Sequence, residues 1–293
     1  MKTKFFVAAF LFTCCASVFA ETFPIIDVQY GYLIGGVENG KWAESGAATK
    51  SVKKAAKLQV YGVAGVVGSA AIVKLDTQNE PCEDRPAVKL NPRKIKDGAI
   101  AFGAVSQTAS PASPSRGGAR STSRRVISPE IAKWNPLPRK PKLLDPASAE
   151  ATAGKLVGEF LREHGLKDPV IHITQAVQID LDGDGQDEVV ISATHYKNGD
   201  EIPDEATPNT YSFVMVARLS QGKNELVAGE FYPEPKPDAA PPNKFEIAAV
   251  LDLNGDGKID IVVRSRYYEG DEISVYEQTA SGFKQALSVG CGL

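Results

Sequence analysis

Two short stretches of this chain crowd carboxylates into a turn at a fixed spacing. In DLDGDGQDE, Asp180, Asp182, Asp184 and Glu188 take positions 1, 3, 5 and 9. In DLNGDGKID, Asp252, Asn254, Asp256 and Asp260 take the same positions. Carboxylates held this close repel one another unless a cation sits among them, and hard oxygen donors select calcium. Alternate spacing turns these side chains inward while the backbone wraps the ion. The carbonyls of Gln186 and Lys258 add a ligand at position 7 of each loop. Gly185 and Gly257 stand at position 6, where the chain turns sharply and a Cβ would be costly. Asp187 should point outward. Two calcium sites are the expectation, with a structural rather than catalytic role, because neither loop has an open position or a nearby base. Soluble acidic turns are the rival reading.

An EF-hand starts in the same way, but it needs a bidentate Glu at position 12, and here Ile191 and Val263 occupy that place. The runs EVVIS and DIVVRS that follow are β-branched and favour strands over helices.

The loops are landmarks of a longer repeat. AVQIDLDGDGQDEVVISATHYKNGDEI aligns with AAVLDLNGDGKIDIVVRSRYYEGDEI, matching Tyr196 to Tyr268 and Gly199 to Gly270. Each unit reads as strand, acidic loop, strand, GDE turn, strand, turn and strand. The outer strands are TYSFVMVARL and ELVAGEFYP in the first unit, DEISVYEQT and FKQALSVG in the second. Four antiparallel strands per unit is a propeller-blade pattern. From Val170 onward the chain resembles the FG-GAP and VCBS-type repeats, the D-x-[DN]-x-D-G calcium loops of integrin α-subunit propellers and of many exported bacterial proteins. The resemblance implies a calcium site on each β-hairpin loop, and a propeller where enough units are present. Two units fall short of a closed ring. The expected fold is therefore mainly β: two four-stranded antiparallel blade-like units with a preceding helix, plus a small N-terminal β-rich domain.

The remaining elements must hold these loops. Residues 145–293 form the repeat domain, opening with the helix DPASAEATAGKLVGEFLREHGL. Its Ala149, Ala153, Leu156, Val157, Phe160 and Leu161 make an apolar stripe, and Gly165 follows as a C-cap. Residues 106–144 are rich in Ser, Pro and Arg and read as a basic linker, with Trp134 docking somewhere. Residues 21–105 offer short strands, a hairpin at Asn39-Gly40 and a brief helix around Ser51 to Lys57. Residues 1–20 have a basic start at Lys2 and Lys4, an apolar middle and a small-residue end at Ala20. That is a secretory signal peptide, with a lipoprotein through Cys14 or Cys15 ranked second.

The whole chain carries −3, and removing Lys2 and Lys4 takes it to −5. The span from Ser106 to Lys142 has eight basic residues against Glu130, so an acidic protein carries a basic strap. Export makes nucleic acid an improbable partner. The mature chain keeps two cysteines, Cys82 and Cys291, which an oxidising compartment should bridge. Gly62, Gly65 and Gly68 are turn glycines rather than a dinucleotide fingerprint, and His164, His172 and His195 lack metal-ligand spacing. The function expected is a secreted or periplasmic, non-catalytic calcium protein that binds or scaffolds an envelope or extracellular ligand. An envelope hydrolase with scattered carboxylates is the alternative.

Overall fold

In a computed structural model, residues 22–76, 82, 85–104, 134–199, 201–234 and 240–292 are described. The expected signal peptide and most of the basic linker lie outside these residues. The fold is mainly antiparallel β, as the repeat pattern implied.

The N-terminal part contributes β1 (Thr22–Asp27), β2 (Leu33–Glu38), β3 (Lys41–Glu44), the short helix α1 (Ser45–Ala48), β4 (Lys57–Gly62), β5 (Gly65–Asp76), β6 (Ala87–Asn91) and β7 (Ile100–Ala104). Its seven strands pair in the order β3-β2-β1-β7-β4-β5-β6 and curl into a half-barrel. Asn39 and Gly40 close the β2–β3 hairpin with φ of 52° and 74°, the left-handed geometry their identities called for. The helix anticipated at Ser51 to Lys57 instead falls earlier. Ala55 N–H donates to Ile72 and Ile72 N–H donates to Ala56, so residues 55–56 are drawn onto β5 and cannot wind.

Next come β8 (Lys142–Leu143), α2 (Pro146–Glu163), β9 (Ile173–Ile179), β10 (Glu188–His195), β11 (Thr210–Arg218) and β12 (Lys223–Tyr232). The last four make the first unit, and β8 adds a fifth strand beside β9. Asp145 caps α2 by accepting from Ser148 N–H at 3.0 Å, with Pro146 in the first turn. Gly165 ends the helix at φ 86°, and Leu166 N–H returns to Leu161. The second unit is β13 (Lys244–Leu251), β14 (Asp260–Tyr267), β15 (Gly270–Thr279) and β16 (Gly282–Gly292), paired in sequence order.

The layers explain the strand sequences. Along β10 and β11, Val189, Ile191, Phe213 and Met215 face α2, while Val190, Val214 and Val216 face the second unit. Along β14, Ile261 and Val263 meet the first unit, while Val262 joins Phe23, Ile25 and Phe102 of the half-barrel. Both units are thus covered on both faces, which is why their central strands are nearly unbroken apolar runs. Residues 22–104 and the second unit share one core.

Two polar features cross the layers. The Gln175 side chain accepts from Ile247 N–H at 2.7 Å and donates to its carbonyl at 3.1 Å, pairing with the edge of β13 as a strand would. Ser212 Oγ accepts from Phe245 N–H and Ser192 Oγ donates to Phe245 O along the same edge. Arg264 reaches from β14 to Asp27 at 2.5 Å and lies 3.5 Å from Asp271. Burial raises the Asp271 carboxyl to about 6 despite that arginine, with Asp27 pushing the same way. Cys82 and Cys291 are bridged with Cα atoms 5.9 Å apart, fastening the β5–β6 connection to β16.

The GDE alignment holds only in part. Two residues separate the end of β14 from Gly270 at the start of β15, whereas Gly199 and Glu201 lie in the longer connection between β10 and β11. By strand register, Tyr211 opposite His195 is the counterpart of Gly270 opposite Tyr267.

Candidate metal centres

Each acidic loop joins two neighbouring strands, β9 to β10 and β13 to β14. The first loop folds through five hydrogen bonds between its own backbone and side chains. Asp180 accepts from the N–H groups of Gly183 (2.7 Å) and Gly185 (3.0 Å). Asp182 accepts from Asp184, Asp184 from Gln186, and Glu188 from Leu181. All five recur 72 residues later. Asp252 accepts from Gly255 (2.7 Å) and Gly257 (3.1 Å), Asn254 from Asp256, Asp256 from Lys258, and Asp260 from Leu253. The two loops therefore share one backbone fold, fixed by the side chains at positions 1, 3, 5 and 9.

Gly183, Gly185, Gly255 and Gly257 all have φ between 78° and 86°, so each loop turns twice through left-handed backbone. Leu181 and Leu253 at position 2 are fully buried and plug the loops into the cores. Asp187 is exposed, as its position implied, and accepts from Gln178.

Carboxylate oxygens of Asp180, Asp182 and Glu188 lie within 4.8 Å of one another, a spacing that fits a cation bound by hard oxygen donors. In the second loop Asp252, Asn254 and Asp260 are all buried. Burial raises the Asp260 carboxyl well above its ordinary range, and the neighbouring Asp256, Asp252 and Glu277 charges add to the effect. Asp252 and Glu188 are raised for the same first reason, desolvation.

The two centres are tied together. Ile259 N–H donates to Leu181 O at 2.8 Å. Arg139 donates to the carbonyls of Asp180 (2.5 Å) and Leu181 (3.2 Å) in the first loop and of Gly257 (2.7 Å) in the second. Just upstream, Trp134 Nε1–H donates to Asp252 O, and Pro136 O accepts from Asp252 N–H. Trp134 also packs edge-on against Phe23, so one extended segment clamps both loops and the half-barrel. This answers where Trp134 docks.

Sequence reasoning missed Arg139, Arg218 and Glu277. Arg218 ends β11 and reaches Glu188 at 3.2 Å and Asp182 at 3.3 Å. A clue was available: an arginine closing an otherwise apolar strand needs a buried partner.

Away from the loops, a pocket of 460 Å³ opens among Val63, Val67, Leu143, Glu246, Arg264 and Arg266. Its charged residues Arg264, Glu246 and Arg266 are engaged in ion pairs, Arg264 with Asp27 and Asp271, and Glu246 with Lys244 and Arg266; Asp97 also lines it. No described helix is long and apolar enough to cross a membrane. No protein-family model, curated protein or solved structure matches this chain.

Proposed function

We propose that this chain is an exported, non-catalytic calcium-binding protein of the cell envelope, related to the FG-GAP and VCBS-type repeats, in which two calcium ions stabilise a binding or scaffolding fold. The ligands are Asp180, Asp182, Asp184, Glu188 and the Gln186 carbonyl in one loop. In the other they are Asp252, Asn254, Asp256, Asp260 and the Lys258 carbonyl. One observation carries the reading: the five-bond network repeated at a 72-residue offset around two acidic clusters whose position 9 carboxylates are buried. Calcium supplies the divalent charge these clusters lack, so binding adds to folding stability. The disulfide and the leader-like first twenty residues favour an oxidising, extracytoplasmic setting.

The test is thermal unfolding of the mature chain in calcium and in chelator. At a calcium concentration near a hundred times the dissociation constant, stabilisation is about 2.7 kcal/mol per site, which moves the midpoint by several degrees. Superimposable transitions would refute a stabilising role.

A further inference from the structure

The two loops share a backbone but not a charge environment. The difference lies on the strand that faces position 9. Val189 pairs with Ala217 and Ile261 with Tyr276, so the next residue along places Arg218 against Glu188 and Glu277 against Asp260. The guanidinium of Arg218 is 7% exposed and touches the ligands at positions 3 and 9 of the first loop. Its Nε also holds Glu225 at 3.2 Å. In the second loop the position 3 acid is Asn254, and Glu277 is fixed by Trp42 Nε1–H at 2.7 Å. A cation has become an anion, and its acidic partner a neutral amide.

The consequence is visible at Asp260, which is 1% exposed. Its Oδ2 accepts from Leu253 N–H at 2.9 Å. No arginine or lysine pairs with it among the described residues. Counting ligand carboxylates and the facing residue, the first nest holds four acids and one guanidinium. The second holds three acids and a further carboxylate. The first nest is therefore partly neutralised by a cation paired directly with its carboxylates. In the second, among the described residues, Arg139 meets only the Gly257 carbonyl and no carboxylate of the nest has an ion pair.

Building on the calcium reading above, we propose that the two loops are unequal sites: the second is the tight calcium site, and the first is a weak site whose affinity is set by Arg218. A divalent ion entering the first loop meets a fixed positive charge within reach of two of its ligands, and that repulsion is strong at low dielectric. An ion entering the second gains an extra carboxylate nearby. At rising calcium the second loop fills first, and the first fills only when calcium outcompetes the guanidinium for Asp182 and Glu188.

The experiment is calorimetric titration of calcium chloride into two single-site versions of the mature chain. Asp184→Lys blocks the first loop and Asp256→Lys the second; both residues are exposed. The protein with only the second loop should bind at least about tenfold tighter than the protein with only the first. Within the Asp256→Lys protein, Arg218→Gln should tighten binding about tenfold, while Arg218→Lys, which keeps the charge, should leave it weak. Within the Asp184→Lys protein, Glu277→Gln keeps an acceptor for Trp42 and should weaken binding about tenfold. That arm reads the same proposal should Arg218→Gln fail to fold. Equal affinities, a tighter first loop, or indifference to both charge-removing substitutions would overturn the inequality while leaving calcium binding intact. Absence of heat in both single-site proteins would overturn the calcium reading as well.

Discussion

The amide of Ile259 donates to the carbonyl of Leu181 at 2.8 Å, so the two acidic loops share a backbone hydrogen bond. Leu181 follows Asp180 at the start of one loop, and Ile259 precedes Asp260 at the end of the other. A displacement of either loop is felt by its twin through this bond. Arg139 reinforces it from the side, with one guanidinium spread over three carbonyls.

Removing that guanidinium should loosen both loops together. Hydrogen bonds from a charged donor contribute about 1.5–3 kcal/mol, and carbonyls left without a donor add a desolvation cost. Arg139→Ala is expected to lower unfolding free energy by about 2–3 kcal/mol in urea, and Arg139→Lys to restore part of it. An effect under about 0.5 kcal/mol would show that the backbone bond alone joins the loops.

Two glycines of the second loop make a paired test. Gly255 and Gly257 have nearly equal φ, 78° and 84°. A Cβ on Gly255 would sit 2.7 Å from the Trp134 ring, while one on Gly257 meets nothing within 4 Å. Gly257→Ala should cost only the left-handed backbone penalty, about 1 kcal/mol. Gly255→Ala should cost that plus about 1–3 kcal/mol for displacing the indole. Trp134 fluorescence should shift in the Gly255 variant and stay constant in the Gly257 variant.

Asp271 gives the fold a pH-dependent term of definite sign. Its carboxyl is raised to about 6 from an ordinary 3.8, so between those values the folded chain holds a proton that the unfolded chain has released. Its contribution is complete below 3.8 and fades as pH rises through about 6. Asp271→Asn removes this term. Relative to the parent, the variant should gain stability on moving from pH 4 to pH 8, by at most about 3 kcal/mol. Urea unfolding of both proteins at matched calcium reads the difference, and parallel pH profiles would contradict it.

What the sequence made legible was local or repeated. The Asn39-Gly40 hairpin, the Asp145-capped helix and the strand–loop–strand around each acid cluster follow from residue type at short spacing. The Cys82–Cys291 bridge followed from counting in an oxidising context. What stayed hidden was carried by partners distant in the chain. A two-residue strand such as Lys142-Leu143 is too short to show periodicity, so β8 looked like linker. The β1–β7 pairing joins segments more than seventy residues apart, and nothing local announces it. Arg218 and Glu277 matter because of what the neighbouring strand sets opposite them. Loop spacing pointed to the acidic residues of each turn but not to the charged residues that the neighbouring strands set against them.

The Gln175 side chain, laid along β13 and hydrogen-bonded to both polar groups of Ile247, closes an edge that would otherwise invite a stranger. An unpaired strand border is a template on which a second molecule can dock in register, the first step towards fibres. Here an amide from the adjoining sheet imitates one residue of a strand and then stops, so recruitment cannot propagate along that border. That small imitation protects the chain from its own copies.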